Sequence, residues 1–135
     1  MRRSARAAPT RASVRASSDW TTALSRTEAR VGAARALLLT SLEEVWRSVV
    51  ETSALGLDQR VRIRMAATHA ITEATAAVDF AYHTAGATAI FDANPFERRF
   101  RDAHTVAQQL QGRQTHFETV GRVLLGLEPD TTAFL

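Results

Sequence analysis

Thr84-Ala85-Gly86-Ala87-Thr88-Ala89-Ile90-Phe91-Asp92-Ala93-Asn94-Pro95-Phe96-Glu97-Arg98-Arg99-Phe100-Arg101-Asp102 is the stretch on which the reading of the fold turns. An Ala-rich helical run ends at Gly86. A loop over Ala87 to Ala93 carries two large apolar residues, Ile90 and Phe91. A new helix then begins, with Asn94 as its cap and Pro95 in the first helical position. Glu97 stands where a capping-box carboxylate reaches back to the cap. Arg98, Arg99, Arg101 and Asp102 fill its first two turns. Glu97 and the Arg101-Asp102 pair have the spacing of ordinary surface helix pairing.

Upstream the period is helical. Trp20, Leu24, Val31, Leu38, Leu42, Val45 and Val49 recur mostly at spacings of four and seven, so they share one face. Ser18 or Asp19 is a plausible cap. Gly56 suits a left-handed stop near Ala54, with Leu57 as the apolar contact after it. Asp58 is expected to cap a second helix running to about Ala85. Its stripe is Ile63, Ala67, Ala70, Ile71, Ala74, Val78, Ala81 and Tyr82. So many alanines let a partner helix approach closely, and tight bundle packing explains them without any function. Arg60, Arg62 and Arg64 crowd its first turns, where the helix dipole disfavours cations. An acid from another helix, or a bound phosphate, is expected to compensate them.

Downstream, the helix from Pro95 is expected to run to about Ala103 and a last helix to about Leu127. Val106, Leu110, Phe117, Val120, Leu124 and Leu127 recur there at near-heptad spacing. Gly112 and Gly121 weaken this helix locally and favour close backbone contact. Gly126 and Pro129 end it. No strand and no internal repeat is visible. The expected fold is all-α: an up-down four-helix bundle over residues 18–130.

The 135 residues suffice for one domain with its own core, and 45% are hydrophobic. There is no Cys, which excludes disulfides and thiolate metal sites. No apolar run is long enough to span a bilayer and no secretory apolar core is present, so a cytoplasmic location is expected. All 17 basic residues are Arg. Arg2, Arg3, Arg6, Arg11 and Arg15 lie in the first fifteen residues without an acid. Removing these five charges from the net +3 leaves −2 for residues 16–135. Residues 1–17 read as a disordered Arg-rich tail, with a composition that also suits an organellar transit peptide. The tail lacks aromatics and an apolar face, and the body is mildly acidic. Neither nucleic acid nor a membrane is expected as a partner.

Composition and spacing yield no catalytic motif. His69, His83, His104 and His116 form no metal pair on one helix face, so no metal site is expected. No Gly-rich phosphate loop follows a strand, and no nucleophile motif appears.

The ordered string Ala85-Gly86, Ile90-Phe91, Asn94-Pro95-Phe96-Glu97-Arg98, Arg101-Asp102 resembles the C-terminal domain of the acyl-CoA dehydrogenase superfamily. The nearest subgroup includes flavin-dependent monooxygenases. Ala34-Arg35-Ala36-Leu37-Leu38, Arg64-Met65-Ala66-Ala67-Thr68-His69-Ala70 and Gly121-Arg122-Val123-Leu124-Leu125-Gly126-Leu127 extend the likeness over about residues 20–130. The resemblance implies a four-helix bundle that mediates assembly, as a homo-oligomer or with a flavoprotein partner supplying further domains. It implies FAD or FMN as cofactor, lying between this bundle and a middle β-domain. The segment Tyr82-His83-Thr84-Ala85-Gly86-Ala87-Thr88 falls where the family approaches the flavin of a neighbouring subunit, which makes Gly86 and Thr88 the cofactor-binding candidates. The family's dehydrogenases place a Glu about eight residues after the Arg-Asp pair, and that position is Leu110. Its monooxygenases place a His at the seventh, and that position is Gln109. Gln109 cannot act as a general base near neutral pH. Gln109 and the neighbouring His104 are the catalytic candidates, with no role assigned. The chain is expected to be a fragment, inactive alone, that lacks the N-terminal and middle domains; a non-catalytic assembly module is the alternative.

Overall fold

The computed structural model describes residues 18–129, and the expected tail at 1–17 lies outside them. Four α-helices follow one another: α1 (Ser18–Thr52), α2 (Leu57–Ala85), α3 (Phe96–Ala107) and α4 (Thr115–Leu124). Short 3₁₀ turns at Gly86–Ile90 and Leu110–Gly112 join the later ones. Among the described residues there is no strand, and the all-α bundle expected from the sequence is the observed class. No helix among them is long and apolar enough to cross a membrane.

α2 is the hub. α1, α3, α4 and the second 3₁₀ turn all pack on it. α1 lies antiparallel to it: Arg30 meets Glu73, and further along Glu44 meets Arg62. The buried core is small and runs along α2 through Val61, Ala66, Thr68 and Glu73, with Ala34 and Ser41 facing it from α1. Small residues at this seam let the two helices approach closely.

Polar side chains fix the register. Glu73, buried, accepts from Arg30 through both carboxylate oxygens, at 2.6 and 3.1 Å. That hydrogen bond, and then the charge of Glu73, hold the Arg30 guanidinium above its ordinary pKa. Arg62 reaches Glu44 at 2.8 Å, so an acid from α1 compensates one of the three crowded arginines, as expected. Thr68 Oγ1 donates to the Gln111 carbonyl at 3.0 Å, and Gln114 Nε2 donates to Thr72 Oγ1 at 3.0 Å. These two bonds pin the α3–α4 connection onto α2.

Several local expectations are corrected. α1 ends at Thr52, and the left-handed residue is Ser53 (φ 52°), whereas Gly56 is extended at φ −72°. Gly56, not Asp58, precedes α2. The Gln59 side-chain oxygen accepts from the Gly56 N–H at 2.9 Å and serves as the cap. Asn94 does not cap α3; Pro95 precedes the helix and Asn94 binds back into the loop. Glu97 pairs with Arg101 and Arg98 with Asp102, each one turn apart.

The last helix is not continuous. α3 runs four residues past Ala103, and the chain then turns through Gln108–Gln114 before α4. Gly112 is the reason. A Cβ there would stand 2.5 Å from the Ala107 carbonyl oxygen, so the fold back onto α3 needs glycine. His116, only 3% exposed, hydrogen-bonds the Leu110 carbonyl through Nε2 and locks the turn from the other side. Gly121, expected at a close contact, has open space around the equivalent position.

The apolar stripes are also rotated. Leu24 and Leu42 are exposed on α1, while Ala34 and Ser41 take the buried positions. No residue of the expected α2 stripe is fully buried; Val61, Ala66, Thr68 and Glu73 take those positions instead. Ala67, Ala70, Ile71 and Ala74 line an open groove of about 520 Å³ between Leu38 on α1 and Ala103 and Val106 on α3.

Candidate functional site

The end of α2 builds the site. Gly86 closes the helix with φ 57° and ψ −142°, a conformation that favours glycine, and its N–H donates to the His83 carbonyl. No atom lies within 4 Å of where its Cβ would be, so the need here is conformational and the backbone is open to approach. The loop that follows is tied down by its own polar groups. Thr88 Oγ1 donates to the Ala85 carbonyl at 2.5 Å, and Asn94 Nδ2 donates to the Thr88 carbonyl at 2.9 Å. The Asn94 N–H donates to the Phe91 carbonyl at 2.8 Å. Ala89 is fully buried beneath the loop, while Ile90 and Phe91 project outward at 63% and 58% exposure. A constrained loop that presents two large apolar side chains to solvent has the character of a contact surface.

One to two turns before Gly86, α2 meets α3 through a side-chain hydrogen bond. His104 Nε2 lies 2.8 Å from Asp79 Oδ1. A carboxylate only accepts, so Nε2 carries the proton and Nδ1 is left as the acceptor in the neutral ring. The His104 ring packs on Phe100 with centroids 4.3 Å apart, and Phe100 packs on Tyr82 at 4.6 Å. His83 is occupied locally, its Nδ1 at 2.7 Å from the Asp79 carbonyl. Asp79 and His104 are both partly exposed. The arrangement is an oriented imidazole on an aromatic shelf, able to accept or relay a proton.

The sequence-based candidates therefore fall in three places. Gly86 and Thr88 share the loop. His104 joins Asp79, Phe100 and Tyr82 in the α2–α3 seam. Gln109 stands apart, exposed in the turn after α3, where its backbone N–H donates to Val106 and its carbonyl accepts from Gly112. Leu110 beside it is exposed as well. Asp79 was missed in the sequence. Its signal was the lone acid in the Ala-rich stretch from Ala74 to Ala85.

A flavin needs enclosing walls and donors to its ring and phosphates. The segment Tyr82–Thr88 presents a single open surface, and the Thr88 hydroxyl proton is already committed to Ala85. A cavity between α2 and the start of α3, lined by Ala77, Val78, Ala81, Pro95, Phe96 and Arg99, holds about 180 Å³. That is below the roughly 300–1,000 Å³ of typical ligand pockets. These residues fit an edge of a flavin site and not a self-contained one. Among the described residues no group of three or more His, Asp or Glu is placed to hold a metal ion.

Residues 2–113 match the family described as acyl-CoA dehydrogenase, C-terminal domain. The chain is also 26% identical over 106 residues to indole-3-acetate monooxygenase from Pseudomonas putida, which covers 78% of this chain and 27% of the relative. It thus spans about a quarter of that relative's length. The helical hub, the Gly86 loop and the match over most of the chain agree, and the protein belongs to the acyl-CoA dehydrogenase C-terminal domain family.

Proposed function

We propose that the chain acts as the C-terminal helical domain of a flavin-dependent oxidoreductase of the acyl-CoA dehydrogenase and monooxygenase type. It is inactive by itself. The remaining walls of the FAD or FMN site come from a flavin-bearing β-domain, on the same polypeptide or on a partner. The observation that carries this reading is the loop Gly86–Asn94, held by Thr88 and Asn94 so that Ile90 and Phe91 face outward. Gly86 and Thr88 lie against the cofactor edge. The bound flavin would supply the redox chemistry, and the chain's own part is to close that side of the site and exclude water.

The relative from Pseudomonas putida is named for oxidation of indole-3-acetate. By extension, an aromatic acid is the substrate class to try first, and His104, oriented by Asp79, is the side chain available to move a proton. A second reading is favoured by Gln109 and Leu110, neither of which can serve as a general base. In that reading the chain is a non-catalytic assembly module that docks on a flavoprotein, or on further copies of itself, through the same loop and bundle. The two separate on one experiment. The flavin-bearing complex is assayed for flavin-dependent oxidation of aromatic acids with native chain and with His104→Gln. Loss of turnover with flavin retained supports the first reading; unchanged turnover supports the second.

A further inference from the structure

A cavity at the head of α2 opens into the apolar groove along it, and we infer that the two together bind one small amphiphile with an anionic head and a straight apolar tail. The head cavity, about 240 Å³, is lined by Leu55, Arg60, Ile63, Arg64 and Ala67. Ala67 also lines the groove of about 520 Å³, so the two spaces meet at that residue. The groove has the volume of a small-molecule site, roughly 300–1,000 Å³.

Charge decides which end takes the head. Of the three arginines at the start of α2, Arg62 is answered by Glu44. Among the described residues Arg60 and Arg64 have no acidic partner. Arg60 donates its Nε–H to the Leu55 carbonyl at 3.3 Å, which leaves its terminal nitrogens for a ligand. Arg64 lines the same cavity one turn further along. Two guanidinium groups with no acid opposite suit a carboxylate or another compact anion.

At the other end the sign reverses. Thr68 holds Gln111 and Asp79 holds His104, so α3 runs antiparallel to α2 and Asp102 falls towards the Thr75 end of the groove. The Asp102 carboxylate, 3.7 Å from Arg98, repels a second anion. Between the ends, Ala67, Ala70, Ile71 and Ala74 offer no hydrogen-bonding side chain. A polar body would lose its hydration there without replacement, whereas an alkyl chain gains with every CH₂ it buries. The span from Arg64 to Thr75 is about 16 Å at 1.5 Å per residue, which sets the length of the tail.

The site lies apart from the loop that faces the flavin. Ala67 is about 28 Å along α2 from Gly86, too far for this ligand to touch the cofactor edge. The amphiphile is therefore not the molecule oxidised, and its binding is independent of the proposed function. Touching Leu38, Ala70 and Val106 at once, it ties α1 and α3 to α2 and stabilises the bundle.

Calorimetric titration of the 135-residue chain with dodecanoate, below its micelle concentration, is expected to show saturable binding of one molecule per chain and a rise in Tm. Dodecanol and dodecyltrimethylammonium carry the same tail and should bind at least about tenfold more weakly. Arg64→Met should weaken dodecanoate about tenfold and leave dodecanol unchanged. Ala70→Leu, which fills the groove with a side chain, should weaken both. Arg101→Met, whose arginine pairs with Glu97, should change neither. Circular dichroism checks that each variant keeps its helices; if Ala70→Leu does not, Arg64→Met and the comparison of the three head groups decide. Uptake without saturation, equal affinity for dodecanol, or dodecanoate binding that survives Arg64→Met overturns the inference. So does binding that persists in a folded Ala70→Leu variant, or that is lost instead with Phe91→Ser, which would put the ligand on the loop.

Discussion

Gly112→Ala tests the most specific steric statement the structure makes. The new Cβ would sit 2.5 Å from the Ala107 carbonyl oxygen and 3.0 Å from its carbonyl carbon and Cα. These are backbone atoms at the end of α3, and no side-chain rotation relieves the contact. Ordinary carbon–oxygen approach is nearly an ångström longer, so the 108–114 turn must open. Overpacking of this kind costs about 1–3 kcal/mol. Unfolding entropy for a domain of this size is about 0.24 kcal/mol/K, so Tm should fall by about 4–12 °C. The control is Gly32→Ala, mid-helix and exposed, where nothing lies within 4 Å of the Cβ. That change should stabilise by about 0.5–1 kcal/mol, because alanine loses less backbone entropy on folding. Thermal unfolding followed by far-UV circular dichroism reads both. Equal shifts, or a neutral Gly112→Ala, would refute the steric account and with it the reason α3 and α4 are separate helices.

Other consequences follow from named contacts. Arg30→Met leaves the buried Glu73 carboxylate without its guanidinium, and should lower Tm more than Arg62→Met, whose partner Glu44 is more exposed. Arg30 has its pKa raised in the fold. Its contribution is present below the unfolded value and is lost only as pH rises through the folded one, so this pair should give no slope in Tm between neutral and moderately alkaline pH. Asn94→Ala removes the bond to Thr88. It should cost about 0.5–1 kcal/mol and speed amide exchange at residues 86–94 while α3 is unaffected, as hydrogen–deuterium exchange would show. Asp79→Ala should shift neutral His104 from the Nε2–H tautomer towards a mixture, visible in its nitrogen NMR spectrum; an unchanged spectrum would deny Asp79 the orienting role.

Periodicity located the two long helices and the Gly86 boundary, because amphipathic spacing and a terminal glycine are local signals. The failures were tertiary. Leu24 and Leu42 fit the α1 stripe by spacing, but α2 offers only an Ala-rich seam, so Ala34 and Ser41 approach it and the leucines turn outward. The heptad from Val106 to Leu127 looked continuous, and only the contact between Gly112 and Ala107 breaks it. Asn94 has the sequence of a helix cap, yet the Thr88 carbonyl competes for its side chain and wins. Of the site, Gly86 and Thr88 were legible as a loop. The orientation of His104 was not, since Asp79 lies 25 residues away in sequence.

The central claim is that this bundle closes one side of a flavin site whose other walls lie elsewhere. Visible absorption after desalting tests it most directly. The chain of 135 residues, mixed with FAD or FMN, should come through colourless. The same chain purified in complex with a flavin-bearing β-domain of the family should keep one flavin per site, and Phe91→Ser should weaken that complex. Stoichiometric flavin retained by the chain alone, or a complex indifferent to Phe91→Ser, would contradict the account.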